Sequence, residues 1–320
     1  MLEGIKRICN LGTGTIGPGI ALTFALAGYH VNMYGRSNAS IKRGFKRIDE
    51  ILQRFNDHGL VETTEIPVIM ARISGVMTLE EAMAGANFVI ESITEDLSSK
   101  QEIFAKIEKF CSPETVFASS TSGLSPTAIA AKLEHKNRFV VAHFWNPPHL
   151  IPLVEVVPGE HTSRSSIVLT IELLKKIGKK PVVLNREALG FIGNRLQFAM
   201  LREALSIIDS GIASKEAVDA TMKYALGRRL STTGPFESAD LSGLDIIGDI
   251  SSYLLEDLCT SHEVSPVLRK AIAEGKLGAK TDSGFYQWSR DSVLKITRIR
   301  EDNLIEWLSK DKQGYLDWEV

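Results

Sequence analysis

Cysteine is scarce in this chain of 320 residues: Cys9, Cys111 and Cys259 are the whole complement. Three thiols, odd in number and far apart, argue against a disulfide framework and against a clustered thiolate metal centre. Charge of one sign is lacking too. Lys and Arg total 37 against 39 for Asp and Glu, a formal net charge of -2, and no basic, aromatic-interleaved patch occurs. Nucleic acid and an anionic membrane surface therefore have no electrostatic handle. No apolar run approaches the roughly 18 residues of a spanning helix. The opening Met1-Leu2-Glu3-Gly4-Ile5-Lys6 has no long apolar core, so no signal peptide is expected. Internal repeats and low-complexity linkers are missing as well. What remains is 44% hydrophobic and 24% charged, ordinary for a globular protein. The length suits one large domain or two ordinary ones, and a cytoplasmic location is expected.

Short apolar runs alternate with longer helical stretches from Lys6 to about Leu184. The pattern predicts strands at 7–11, 31–34, 87–92, 116–119, 139–142, 153–157 and 181–184, with 73–77 a further short candidate. Helices are predicted over 39–55, 79–84, 97–110 and 163–177. Such alternation implies a mainly parallel, doubly wound α/β sheet. Past Arg186 the strand pattern stops, and apolar residues recur at helical spacing over 190–210, 214–224, 244–258 and 264–274. The expected architecture is a Rossmann-type nucleotide-binding domain over 1–186 and an all-α C-terminal domain over 187–320. A helix starting near Gly190 bridges them, and the helical domain is expected to supply a homodimer contact.

The first strand runs into Gly12-Thr13-Gly14-Thr15-Ile16-Gly17, a Gly-x-Gly-x-x-Gly turn followed by an amphipathic stretch, Ile20 to Ala27. Gly12 permits the tight turn, Gly14 lets a pyrophosphate approach bare backbone, and Gly17 lets the helix pack on the sheet with the anion at its N-terminus. Thr15 and Ile16 complete the cradle. An NAD-preferring site places Asp or Glu at the end of the second strand, about 20 residues past the glycines, for the ribose 2′-hydroxyl. Here that position reads Tyr34-Gly35-Arg36-Ser37. No carboxylate repels a 2′-phosphate, Arg36 offers it a charge-assisted fork and Ser37 a hydroxyl. NADP(H) is therefore expected over NAD(H), the alternative; Arg36 as one more solvated surface arginine is the competing explanation.

Branched and aromatic residues deliver His143-Phe144-Trp145-Asn146-Pro147-Pro148 at a strand end, where open α/β sheets bind their ligands. Glu155 follows within Leu153-Val154-Glu155-Val156-Val157. A carboxylate inside a strand of aliphatics is costly without a partner. A histidine on a neighbouring strand suits it: Glu155 holds one ring nitrogen and leaves the other for substrate. A structural ion pair, or an edge-strand glutamate facing water, would leave the same residues.

Taken together, several blocks resemble the L-3-hydroxyacyl-CoA dehydrogenase family. They are His143-Phe144-Trp145-Asn146-Pro147, Glu155, Gly190-Phe191-Ile192-Gly193-Asn194-Arg195-Leu196, Ser119-Ser120-Thr121-Ser122-Gly123-Leu124 and Gly278-Ala279-Lys280-Thr281-Asp282-Ser283-Gly284-Phe285-Tyr286. They run in the family's order from residue 12 to residue 286. The resemblance implies hydride transfer between C3 of a 3-hydroxy substrate and nicotinamide C4, with His143 taking the hydroxyl proton and Glu155 orienting the imidazole. It implies that Ser122 and Asn194 bond the reacting oxygen and its neighbouring carbonyl. Asn146, Glu95, Lys100, Ser122 and Lys280 fall on cofactor-contacting positions. No metal is needed, since a base suffices once hydride leaves to nicotinamide.

Three departures concern substrate. Where the CoA enzymes carry a serine and a lysine against the CoA nucleotide, alignment on Gly44 places Ile48 and Phe55; Lys46, Arg47 and Arg54 nearby leave another CoA contact open. The Ser-Asn-Thr-Ser-Ser run of the family is Ser119-Ser120-Thr121-Ser122-Gly123, and the loop 226–233 is one residue longer. These features are similar to the family's non-CoA branch, which includes L-gulonate 3-dehydrogenase (lambda-crystallin) and carnitine dehydrogenase. Arg228 and Arg229 would then clamp a substrate carboxylate, or form a solvated helix end. Asp240-Leu241-Ser242-Gly243-Leu244-Asp245 and the 278–286 block resemble the acyl-CoA branch instead. The expected partner is thus a small hydroxy or keto substrate, as a free acid or a CoA thioester. A crystallin-like protein without turnover would be expected to lack His143 or Glu155, and both are present. An enzyme of the 6-phosphogluconate type would explain Gly35-Arg36-Ser37 but relies on a lysine as its acid/base group.

Overall fold

A computed structural model describes residues 4–314; the outer ends of the expected domains, residues 1 and 320, lie outside that range. Eight strands form one sheet in the order β3-β2-β1-β4-β5-β6-β7-β8. They are β1 Arg7–Leu11, β2 His30–Tyr34, β3 Ile73–Val76, β4 Phe88–Glu91, β5 Val116–Ser119, β6 Phe139–Phe144, β7 Leu153–Pro158 and β8 Lys180–Val183. All neighbouring pairs are parallel except β6 and β7. The sheet is flanked by α1 Gly17–Leu26, α2 Asn38–Asp57, α3 Ile66–Ala71, α4 Leu79–Met83, α5 Leu97–Ile107, α6 Pro126–Ile129 and α7 Arg164–Lys176. The strand order reverses at β1, between β2 and β4, which opens a ligand crevice at the carboxyl ends of β1 and β4.

Strand parity builds the two layers. Ile8, Val31, Met33, Phe88, Ile90, Val140 and Ala142 join Phe24 of α1 and Leu52 of α2 in one apolar cluster. Their alternates Cys9, Leu11, Val89, Phe117, Phe139 and Val141 form the other with Phe104 of α5. A sheet apolar on both faces must be covered on both, which the crossover helices of parallel strands do. Helix starts follow capping chemistry: Ser37, Thr78, Asp96 and Ser163 each accept a backbone N–H with the side chain at the N-cap of α2, α4, α5 and α7.

Contact clustering divides the chain into two compact units. The first runs through Asn194 and includes Leu304–Lys312; the second spans Arg195–Asn303. Helices α8 Gly193–Asp209, α9 Lys215–Thr221, α10 Gly227–Leu230, α11 Pro235–Ser242, α12 Leu244–Leu254, α13 Pro266–Ala273 and α14 Arg290–Lys312 follow the sheet, with no further strand among the described residues. Three local expectations differ from the structure. Strand β6 continues two residues past Ala142, so His143 lies within it and not beyond it. The α5 segment ends its α-helix at Ile107 and closes in a 3-10 turn at Glu108–Phe110. The 23-residue α14 has no counterpart in the apolar pattern, because nearly half its residues are charged; Ile305, only 2% exposed, is its one buried residue.

Candidate active site

The glycine turn is built as its sequence requires. Gly12 sits at φ 130°, and a Cβ there would stand 2.7 Å from the Ser92 carbonyl oxygen. At Gly17 a Cβ would stand 2.1 Å from the Gly12 carbonyl oxygen. Gly14 is exposed with nothing within 4 Å of where its Cβ would be. Exposed Thr15 and half-buried Ile16 lead into α1, with Ile16 at its N-cap. A bare backbone step before a helix N-terminus is what a dinucleotide pyrophosphate needs, so the residues present fit that group. Gly35 is buried beside this turn, and a Cβ on it would meet Ile41 and the Ser40 hydroxyl at 2.8 Å and Thr13 at 3.1 Å. Arg36 is exposed just beyond. The Ser37 hydroxyl accepts the Ser40 N–H as the α2 cap.

Register then joins the second pair of residues. In the antiparallel β6–β7 ladder His143 and Glu155 are direct partners, so their side chains leave the same face of the sheet. The His143 Nδ1–Glu155 Oε2 distance is 2.8 Å, with both side chains buried. Glu155 accepts three more bonds: Trp145 Nε1–H on Oε2 at 3.2 Å, and the Ile192 and Gly193 backbone N–H groups on Oε1 at 2.8 and 2.9 Å. Burial opposes its charge. The bond from His143, those from Gly193 and Ile192, and the attraction of His143 outweigh that cost, holding the carboxyl below its ordinary range. An anionic Glu155 accepts a hydrogen bond from Nδ1–H, which leaves Nε2 as the imidazole nitrogen able to accept a proton. Phe191, at φ 51° and 1% exposed, packs 5.6 Å from the His143 ring and turns the chain so that both N–H groups reach Oε1.

A second network runs from β4 and β5 to the start of α8. Glu95 Oε1 accepts the Ser122 N–H at 3.0 Å and the Thr121 hydroxyl. Asn194 Nδ2 donates to the Ser122 carbonyl at 2.8 Å, and Asn194 adjoins Gly193, already bonded to Glu155. Ser122, Asn194, His143, Glu155 and Glu95 thus belong to one connected structure. Lys100 is held in a buried ion pair. Its ammonium, 1% exposed, lies 2.7 Å from Glu91 Oε1 and 3.2 Å from Glu95 Oε2. Glu91, fully buried at the end of β4, also accepts the Ser119 hydroxyl at 2.6 Å and the Ile93 N–H at 2.6 Å. The buried Lys100 and Glu91 charges compensate each other, and Lys100 also pairs with the half-exposed Glu95.

Asn146 is exposed immediately after Trp145. Arg228 and Arg229 are exposed on α10 of the second unit, with the Arg228 guanidinium 5.2 Å from the Tyr224 ring centre. Lys280 is exposed in the 3-10 turn Ala279–Thr281 of that unit. Sequence reasoning missed Glu91 and Trp145. The signal that found Glu155, a carboxylate among strand aliphatics, also marks Glu91 in Phe88-Val89-Ile90-Glu91. Nothing in the linear sequence marks the Trp145 bond, which depends on strand register.

A glycine-turn crevice at a sheet switch point, with a buried histidine–carboxylate pair on a strand of the same sheet, defines a dinucleotide-dependent oxidoreductase. The 3-hydroxyacyl-CoA dehydrogenase NAD binding domain matches residues 7–188 and the C-terminal domain of the same enzymes matches 190–288, and the chain belongs to the 3-hydroxyacyl-CoA dehydrogenase family. It is a nicotinamide-dinucleotide-dependent dehydrogenase acting on CH–OH donors. It is 38% identical over 285 residues to a probable 3-hydroxybutyryl-CoA dehydrogenase of Bacillus subtilis, covering 89% of this chain and 98% of that one. It is 30% identical over 304 residues to a 5-formyl-3-hydroxy-2-methylpyridine 4-carboxylate 5-dehydrogenase of Mesorhizobium japonicum, covering 94% and 96%. A crystal structure of an enzyme of the latter name, described as an NAD+ dependent dismutase, is similar over 99% of this chain and 100% of its own (TM-score 0.89, 28% identity). The (S)-3-hydroxybutyryl-CoA dehydrogenase of Ralstonia eutropha is similar over 89% and 100% (TM-score 0.76, 30% identity).

Proposed function

We propose that this chain interconverts a small hydroxy substrate and its carbonyl form, with His143 moving the hydroxyl proton and no CoA thioester on the substrate. The observation that carries the chemistry is the buried 2.8 Å His143–Glu155 pair. Strands β1 and β6 are parallel through β4 and β5 and three strand positions apart. At about 4.8 Å per position, roughly 14 Å separates their carboxyl ends. One extended dinucleotide laid across those ends spans such a gap. A nicotinamide bound there supplies the hydride acceptor. His143 Nε2 accepts the hydroxyl proton during oxidation and returns it during reduction, a general-base contribution of about 10²–10⁴-fold. Glu155 fixes the ring and stabilises its charged form. Ser122 and Asn194 bond the reacting oxygen and its neighbour, holding the near-attack geometry. Asn146 and Glu95 contact the cofactor.

Two observations support a free acid over a thioester. Ile48 and Phe55, at the positions assigned to CoA contacts, are 0% and 3% exposed and part of the core. The likeness to the pyridine-carboxylate enzyme extends over 99% of the chain, against 89% for the Ralstonia thioester enzyme. A carboxylate-bearing substrate also suits a cationic pair such as Arg228 and Arg229, both exposed. Acyl-CoA chemistry is the second reading, favoured by the 38% identity to the Bacillus enzyme.

For the cofactor, NADP(H) is the proposed preference. The Gly35 position has no room for a carboxylate, since even a Cβ would meet Ile41 and Ser40 at 2.8 Å, and Arg36 stands exposed beyond it. A homodimer through the helical unit is also proposed, because that unit leaves Phe198, Phe236 and Leu241 63, 85 and 78% exposed.

An initial-rate screen of NADP and NAD with L-gulonate, carnitine, 3-hydroxybutyrate, 5-formyl-3-hydroxy-2-methylpyridine 4-carboxylate and acetoacetyl-CoA tests all of this. The expected result is turnover of a free acid, with NADP at least tenfold better in kcat/KM. Turnover confined to acetoacetyl-CoA overturns the substrate reading, and a tenfold advantage for NAD overturns the cofactor reading.

A further inference from the structure

Glu155 receives four hydrogen bonds, and a carboxylate offers about four lone-pair sites. Glu155 is 1% exposed, so these four donors hold it away from solvent. Two of them, the Ile192 and Gly193 N–H groups, are backbone and hold Oε1. The other two are rings that share Oε2: His143 Nδ1 at 2.8 Å and Trp145 Nε1 at 3.2 Å.

We infer that Trp145 is a positioning residue for the reaction: its indole N–H shares Glu155 Oε2 with His143 and sets how much of that carboxylate the imidazole receives. The inference rests on the reading of His143 as proton acceptor. The indole donor is neutral and does not titrate, so it draws on Oε2 at every working pH. Its ring centre lies 5.3 Å from that of His143, tilted by 47°. The opposite end of the same carboxylate also depends on the indole. A Cβ at residue 193 would stand 2.2 Å from Trp145 Cζ2. The ring therefore fills space that only glycine leaves, against the residue whose N–H holds Oε1. Trp145 thus touches Oε2 directly and reaches Oε1 through Gly193.

The groups facing the imidazole are Glu155 from β7, Phe191 from the turn before α8, and Trp145 just past its own strand. Among these only Glu155 titrates. Removing the indole donor leaves more unshared charge on the oxygen facing Nδ1, which favours the imidazolium. A half-buried tryptophan that merely needed an acceptor for its N–H would produce no such effect on the reaction.

The test compares kcat/KM against pH for the wild-type protein, Trp145→Phe, and wild-type protein labelled with 5-fluorotryptophan. The phenyl ring keeps aromatic packing and lacks the donor, whereas the fluoroindole donates more strongly. In Trp145→Phe the acid limb is expected to move up by about half to one pH unit, with the thermal midpoint and cofactor KM little changed. In the labelled protein it moves down. An acid limb within a tenth of a unit of wild type in both preparations overturns the inference. If Trp145→Phe fails to fold, labelled protein in which Trp288, Trp307 and Trp318 are replaced by phenylalanine decides alone, because the label otherwise enters all four tryptophans. His143→Gln is run alongside: if it keeps wild-type turnover, the underlying reading has failed, and if it is inactive while both acid limbs stay put, only the role of Trp145 has.

Discussion

The two units bury their residues in opposite ways. In the first, both faces of the sheet are closed over by helices, and Phe24, Phe88, Phe104, Phe117 and Phe139 are at most 1% exposed. Between Arg195 and Asn303, by contrast, Leu205 is the one buried hydrophobic among the described residues. Exposed there are Phe198, Leu230, Phe236, Leu241, Leu244 and Tyr253. The first unit completes its core within its own chain and can hold a pair of buried charges at fixed geometry. The second presents its apolar helix faces outward, which soluble proteins tolerate over large areas mainly where another surface covers them. The proposed proton transfer belongs to the closed unit, and the proposed self-association to the open one.

Paired substitutions sharpen that contrast. Phe139 stands edge-on to Phe104, their ring centres 4.9 Å apart, so Phe139→Ala is expected to cost about 3–5 kcal/mol in urea unfolding. Phe236→Ala, at a site 85% exposed, should stay within about 0.5 kcal/mol at concentrations where the chain is monomeric. Equal losses at both sites would erase the distinction. Next in size is Phe198→Asp on α8. It should weaken self-association by about 2 kcal/mol or more, read by sedimentation as a shift from twice the chain mass toward 35.2 kDa. A wild-type protein that sediments as a monomer throughout would leave the exposed faces without the proposed partner.

The smallest effect is one of pH within the closed unit. The Glu155 carboxyl is held below its ordinary value of 4.5 although burial opposes its charge, because the His143, Gly193 and Ile192 bonds and the attraction of His143 prevail. A depressed acid stabilises the fold above its unfolded value and loses that contribution as pH falls through the lower folded one. The stability gap between wild type and Glu155→Gln should therefore be full above pH 5, at about 1–2 kcal/mol, and shrink on acidification. A gap that widens toward low pH would show the sign to be wrong.

Much of the closed unit was legible in sequence, because its physics is local. Gly12, Gly14 and Gly17 each answer a steric demand that the turn itself imposes, and alternating aliphatics mark the strands. Glu155 could be paired with His143 because a carboxylate amid Val154, Val156 and Val157 must have a partner nearby. The sharing of Oε2 with Trp145 was not legible, since it depends on an antiparallel register and on how closely Gly193 approaches. The burial of Lys100 was not legible for a related reason: it follows from Glu91, nine residues earlier and on another element. Helix α14 left little signal because only Leu304, Ile305 and Leu308 among its described residues pack on the core, too few to imprint a stripe on a 23-residue helix with nearly half its residues charged.

The most direct test of the catalytic pair is His143→Gln, assayed for steady-state turnover and, by titration calorimetry, for cofactor binding in the same preparation. The expected result is a loss of turnover of about 10²-fold or more, with the dissociation constant for the dinucleotide within about twofold of wild type. Retention of more than a tenth of the wild-type rate would contradict a proton-transfer role for His143.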